Sequence, residues 1–148
     1  MHPDGLTLIG PLALAALAGS DWGRDVTAVG GLTLGADPIS YAISYASALQ
    51  GGRAALRAFT VRKEAKTHGT GKLVEGPFEV GDRVAIIEDV ITTGGSARRA
   101  IDAVRAAGGD VAGVLALVDR DEGGRQAIES LGLPVIALVG RAEIVGRM

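Results

Sequence analysis

The sequence predicts an α/β fold, a twisted parallel sheet of about five strands with helices on both faces. Three observations predict it. Short β-branched apolar runs alternate with stretches of helical period along the 148 residues. Glycine pairs at Gly30-Gly31, Gly51-Gly52 and Gly108-Gly109 punctuate the changes of period. The run Val84 to Ile87 leads through Glu88 and Asp89 into a turn of small residues, Thr92-Thr93-Gly94-Gly95-Ser96, and then into a helical pattern.

In chain order, Leu6, Ile9, Ala13, Ala16 and Leu17 recur at helical spacing, with Asp4 able to serve the helix start. The same stretch ends Ala-Leu-Ala-Gly-Ser, like a secretory signal, but nothing basic precedes it, so a packed N-terminal helix is expected. Val26 to Gly30 makes the first strand, closed by Gly30-Gly31. Pro38 and Ile39 to Leu49 form a helix stopped by Gly51-Gly52. Ala55 to Val61 is a strand, and Arg62 to Gly76 a long loop. Val84 to Ile87 is a fully buried strand that runs out at the two acids, and Ser96 to Ala107 is its helix. Val111 to Val118, a helix around Arg125 to Leu131, the strand Pro134 to Val139 and a short tail from Arg141 complete the order. No linker or repeat divides the chain, so residues 1–148 read as one domain.

A net charge of −2 gives no general attraction to nucleic acid or to an anionic membrane, so any anion must be held by local charge. Cysteine is absent, which excludes disulfides and thiolate metal sites. The apolar runs fall well short of the ~20 residues that span a bilayer, and a cytoplasmic protein is expected.

The segment from residue 88 to 96 carries the chemistry. A small-residue turn between strand and helix leaves backbone N–H groups unpaired and aimed outward. With three hydroxyls and the positive helix end, they form an anion site of phosphate size. Carboxylates beside a phosphate cradle suit a sugar phosphate, whose ring hydroxyls donate to the acids while the phosphate fills the turn. Neither Gly-x-x-x-x-Gly-Lys-Ser/Thr nor Gly-x-Gly-x-x-Gly occurs.

This arrangement resembles the phosphoribosyl pyrophosphate (PRPP) motif of the type I phosphoribosyltransferases. The resemblance implies that Glu88 and Asp89 bind the ribose hydroxyls, and that Val90, Ile91, Thr92, Thr93, Gly94, Gly95 and Ser96 form the loop around the 5′-phosphate.

Residues 62–72, Arg-Lys-Glu-Ala-Lys-Thr-His-Gly-Thr-Gly-Lys, hold all three lysines of the protein, Lys63, Lys66 and Lys72, and one of its two histidines, His68. Concentrated cation on a glycine-hinged loop suits a mobile lid over a polyanion. Arg-Lys-x-x-Lys-x-His-Gly, followed by Leu73-Val74-Glu75-Gly76, resembles the catalytic loop of the orotate phosphoribosyltransferases. That family transfers phosphoribose from PRPP to orotate, giving orotidine 5′-monophosphate and pyrophosphate in pyrimidine biosynthesis. By resemblance, Arg62, Lys63, Lys66 and His68 contact the pyrophosphate, and loop 62–76 crosses a homodimer interface into the partner's site. Lys66, His68 and Asp89 are then the catalytic candidates. Mg²⁺ is expected between pyrophosphate and ribose, held by substrate and water with no direct protein ligand.

Gly30 to Pro38 resembles the family's pyrophosphate loop, with Thr33, Leu34 and Gly35 at its tip; many relatives carry lysine at the position of Leu34. Asp119-Arg120 matches the place of an arginine facing the orotate carboxylate, and Thr92 would touch both phosphoribose and base. The match runs from about Leu6 to near the C-terminus. Family members begin with a further segment bearing a lysine and aromatic residues that close over orotate. Here no lysine precedes Lys63 and no phenylalanine precedes Phe59, so a shortened form or a loss of base specificity is expected. Two other functions remain open at this point: phosphoribosyl transfer to another base, and a non-catalytic module that senses PRPP.

Overall fold

The computed structural model describes residues 1–69 and 71–148; Thr70, inside loop 62–76, lies outside the described residues. Helices α1 (Pro3–Gly19), α2 (Asp37–Gln50), α3 (Gly95–Ala106), α4 (Gly124–Glu129) and α5 (Arg141–Val145) accompany six strands. These are β1 (Ala28–Leu32), β2 (Arg57–Val61), β3 (Val74–Glu75), β4 (Arg83–Ile91), β5 (Asp110–Asp119) and β6 (Val135–Gly140). They form one sheet in the order β3-β2-β1-β4-β5-β6.

The five long strands are parallel, and β3 adds an antiparallel edge through Thr60↔Glu75 and Val61↔Val74. The predicted loop 62–76 therefore ends in a short strand. Its apolar pair Leu73 and Val74 packs partly against the core, which overrides the flexible composition before it.

Helices cover both faces, as the alternation of periods predicts. Ala13, Leu14 and Leu17 of α1 and Ile39 and Ile43 of α2 pack with Val29, Ile87 and Leu115. Ala97, Ala100, Ile101 and Val104 of α3 and Ile128 of α4 pack with Phe59, Ile86 and Val114 on the other side. The apolar N-terminal stretch is thus a packed helix. His2 Nδ1 accepts from the Asp4 amide at its start, at 3.3 Å, while Asp4 itself lies in the first turn.

Two expected boundaries are corrected. Gly30 and Gly31 lie inside β1 rather than closing it. A Cβ on Gly30 would sit 2.4 Å from the Phe59 carbonyl oxygen, and one on Gly31 would sit 2.1 Å from that of Ile87. The glycines are there for close strand packing, not for a turn. Strand β4 also does not run out at the acids. Its pairing with β5 continues through Glu88↔Ala116 to Ile91↔Asp119, whereas its pairing with β1 stops at Gly30↔Ile86. The acids therefore overhang the crevice where the chain order reverses between β1 and β4. Open α/β sheets bind ligands in that crevice.

Candidate active site

Gly94 begins the site. It precedes α3 with φ 85°, a left-handed conformation that glycine adopts without strain, and among the described residues no side chain caps the helix. The first amides of α3 are consequently open to a ligand. The turn is braced from behind, because the Gly124 amide donates to the Thr92 carbonyl at 2.9 Å. A cavity of about 320 Å³ lies against it, lined by Glu88, Thr92, Thr93, Gly95, Ser96 and Arg99 among others.

Glu88 and Asp89 behave differently because successive strand residues face opposite sides. Glu88 is only 5% exposed, and its Oε1 has no hydrogen-bond partner among the described residues. Burial, with Asp89 adding, pushes its carboxyl up to about 8 from an ordinary 4.5. A buried, unpartnered carboxyl facing a cavity is poised for a donor from a ligand. Asp89 is exposed and accepts from the Val90 amide at 2.7 Å.

The loop after β1 closes on this acid. A Cβ at Gly35 would lie 2.7 Å from Asp89 Oδ2, so only glycine lets the backbone approach the carboxylate. Leu34 stands 79% exposed at the tip, and the peptide joining it to Thr33 is cis. Thr33 Oγ1 donates to Asp37 Oδ2 at 2.6 Å, and Thr60 Oγ1 to Asp37 Oδ1 at 2.9 Å. These groups, with Tyr41, Arg62 and Lys63, line a second cavity of about 840 Å³ at the same edge of the sheet. Asp37 was not singled out from the sequence. Its place two residues after Gly35 was visible, but its bond to Thr60 on β2 was not.

Replacing Gly35 with alanine should push the Asp89 carboxylate aside while leaving the fold intact, because that carboxylate is the movable end of a side chain. The expected result is about tenfold weaker binding of a ligand that uses Asp89, with little change in melting temperature. Calorimetry and thermal unfolding on the same variant check both halves.

The structure gathers Glu88, Asp89 and residues 90–96 at one edge, with Thr33, Leu34, Gly35, Arg62 and Lys63 beside them. Lys66 and His68 are set apart. Lys66 Nζ is bound to Glu75 Oε1 at 2.5 Å, Arg62 Nη1 lies 3.6 Å from the same oxygen, and His68 is exposed on the loop. The Lys66 contact, with both cations nearby, holds the Glu75 carboxyl below its usual range. Arg120 sits beside the turn through its amide, which donates to the Ile91 carbonyl at 3.0 Å, while its guanidinium pairs with Glu122 at 2.8 Å. The buried Asp119 before it is held by Arg125 Nε at 2.9 Å. Arg99 was missed, because an arginine inside a helical pattern carries no signal of what it meets across the fold.

A parallel sheet with an acid pair and an open helix start at its order reversal is the architecture of the type I phosphoribosyltransferases. An adenine phosphoribosyltransferase from Thermoanaerobacter pseudethanolicus, 20% identical, shares this fold with a TM-score of 0.67 over 88% of the chain and 79% of its own. No protein-family model matches the chain.

Orotate phosphoribosyltransferase from Mycobacterium avium is 47% identical over 144 residues, which is 97% of this chain and 75% of that protein. The one from Aquifex aeolicus is 49% identical over 118 residues, 80% of this chain and 63% of its own length. Orotate phosphoribosyltransferase of Mycobacterium tuberculosis in complex with 5-phospho-alpha-D-ribosyl 1-diphosphate superposes with a TM-score of 0.83 at 43% identity, covering 97% of this chain and 77% of that one. The chain belongs to the orotate phosphoribosyltransferase family. It spans roughly two thirds to three quarters of these relatives' lengths.

Proposed function

We propose that this chain, read as one domain over residues 1–148, transfers phosphoribose from PRPP to orotate, releasing pyrophosphate and forming orotidine 5′-monophosphate. The observation that carries the proposal is the buried, unpartnered Glu88 carboxyl beside the uncapped start of α3. A sugar phosphate supplies both the hydroxyl that Glu88 needs and the anion that the helix start attracts. Glu88 and Asp89 take the ribose 2′- and 3′-hydroxyls, and the amides and hydroxyls of residues 92–96 take the 5′-phosphate.

The pyrophosphate then extends toward Thr33, Leu34 and Gly35 and the cavity lined by Arg62 and Lys63. Breaking the ribose–pyrophosphate bond leaves negative charge on the departing oxygen and positive charge on the ring. Lys66 and His68 brought over from the loop stabilise the first, and Asp89 the second. Lys66 must exchange Glu75 for the pyrophosphate to do so. Arg120 pairs with the orotate carboxylate, and Thr92 lies between base and ribose.

Mg²⁺ would supply further charge neutralisation on the pyrophosphate. Held by substrate oxygens and water, it would need no cage of protein side chains.

A homodimer with loop 62–76 in the partner's site fits the apolar strip of Leu6, Tyr41, Tyr45 and Leu49, because Tyr41 also lines the pyrophosphate-side cavity. Among the described residues no helix is long and apolar enough to cross a membrane. Residence in the cytoplasm is part of this reading, as for an enzyme of pyrimidine biosynthesis.

The test is an assay with PRPP, Mg²⁺ and a panel of bases, following pyrophosphate release. Release with orotate alone is the expected result. Release with a different base would reassign the acceptor. PRPP binding with no release for any base would favour a sensing module.

A further inference from the structure

Arg99 lines the phosphate-sized cavity and touches the catalytic loop as well. Its guanidinium donates from Nη2 to the carbonyl oxygen of Lys63 at 2.5 Å, a contact between residues 36 apart in sequence. Lys63 is the second residue of loop 62–76, whose neck is also tied by the Arg62 amide donating to the Leu73 carbonyl at 2.8 Å. Arg99 itself stands on the exposed face of α3, fixed to the sheet by Ala97, Ala100 and Ile101 on the opposite face. It is the one cationic side chain among the described residues that line this cavity. A guanidinium has five donors in a rigid fork, and one of them is enough for the Lys63 carbonyl.

We propose that Arg99 is a positioning residue that couples a filled phosphate cavity to the setting of loop 62–76, binding the 5′-phosphate and the Lys63 carbonyl at the same time. The proposal rests on the phosphoribose reading above and adds a residue to it. A phosphate seated on the α3 amides draws the guanidinium toward the helix start and holds it there. The carbonyl bond then fixes the root of the loop, three residues before Lys66 and five before His68. A lysine cannot replace it, since a single ammonium lacks the planar fork that spans two fixed acceptors.

All three lysines of the chain lie in this loop, so an endoproteinase that cleaves only after lysine reads the loop directly. The probe is ribose 5-phosphate at saturation, with ribose as the control and calorimetry reporting binding. In the unchanged protein ribose 5-phosphate should slow cleavage about tenfold, and ribose should not. In Arg99→Ala and Arg99→Lys the ligand should still bind, through the amides and hydroxyls, yet protect less than about twofold. A merely structural arginine would change cleavage equally with and without ligand. Undiminished protection in both variants would overturn the coupling while leaving the phosphoribose reading in place. Bound ribose 5-phosphate that gives the unchanged protein no protection would do the same. Failure of the unchanged protein to bind ribose 5-phosphate would overturn both.

Discussion

Lys66→Ala is expected to lower turnover by roughly 10²- to 10³-fold while leaving the melting temperature unchanged. The two halves have separate causes. Lys66 is half exposed, and its partner Glu75 is also accessible, so solvent screens the ion pair and its loss should leave stability almost unchanged. In the proposed reaction the same ammonium would meet an oxygen that gains charge as the bond breaks, in a site that a closed loop would shield from water. There a single charge–charge contact is worth several times more than on the surface. Single-turnover rates beside thermal unfolding of the same preparations check the pair of outcomes. An unchanged rate would remove the loop from the mechanism, whatever the stability did.

Glu88→Gln should also cost function, but it should relieve the fold. The Glu88 carboxyl titrates near 8 when folded and near 4.5 when unfolded. Below both values each state holds the proton and the group contributes no difference. Between them the unfolded chain gives up its proton first, so the native state binds more protons and stability falls as pH rises. Above about 8 the whole penalty is present, with an upper bound of about 5 kcal/mol. Glutamine does not titrate. The difference in melting temperature between variant and parent should therefore grow in the variant's favour from pH 5 to 8 and then level off. Above about pH 8, where the parent carboxyl is ionised, affinity for PRPP should be about 10- to 100-fold weaker in the variant, since an amide accepts the ribose hydroxyl without charge. A parallel pH dependence in both proteins would mean that Glu88 is ionised in the free protein.

The fold was legible where periodicity was strong. Alternating apolar runs and helical stretches located every long strand, and the Gly51 stop after α2 followed from its positive φ of 66°. Misreadings arose where one residue type serves two purposes. Gly30-Gly31 reads as a turn, but it is strand packing against Phe59 and Ile87. Glu88 and Asp89 read as a strand end because they are charged, yet pairing with β5 carries the strand past them to Ile91. Strand β3 has only two residues and follows a polar loop, too little for any period to register.

The candidate site divides the same way. Residues 88–96 are contiguous, so local sequence displays the acids and the anion cradle together. Asp37 reaches Thr60 on β2, Gly35 presses on Asp89 of β4, and Arg99 holds Lys63; each of these contacts joins elements that only folding brings together.

The most direct test of the central claim, that residues 88–96 hold phosphoribose, is titration calorimetry of this chain with PRPP and Mg²⁺, repeated on Asp89→Asn. One PRPP should bind per chain, with affinity at least about tenfold weaker in the variant. No binding by the unchanged chain, or equal binding by the two proteins, would contradict it.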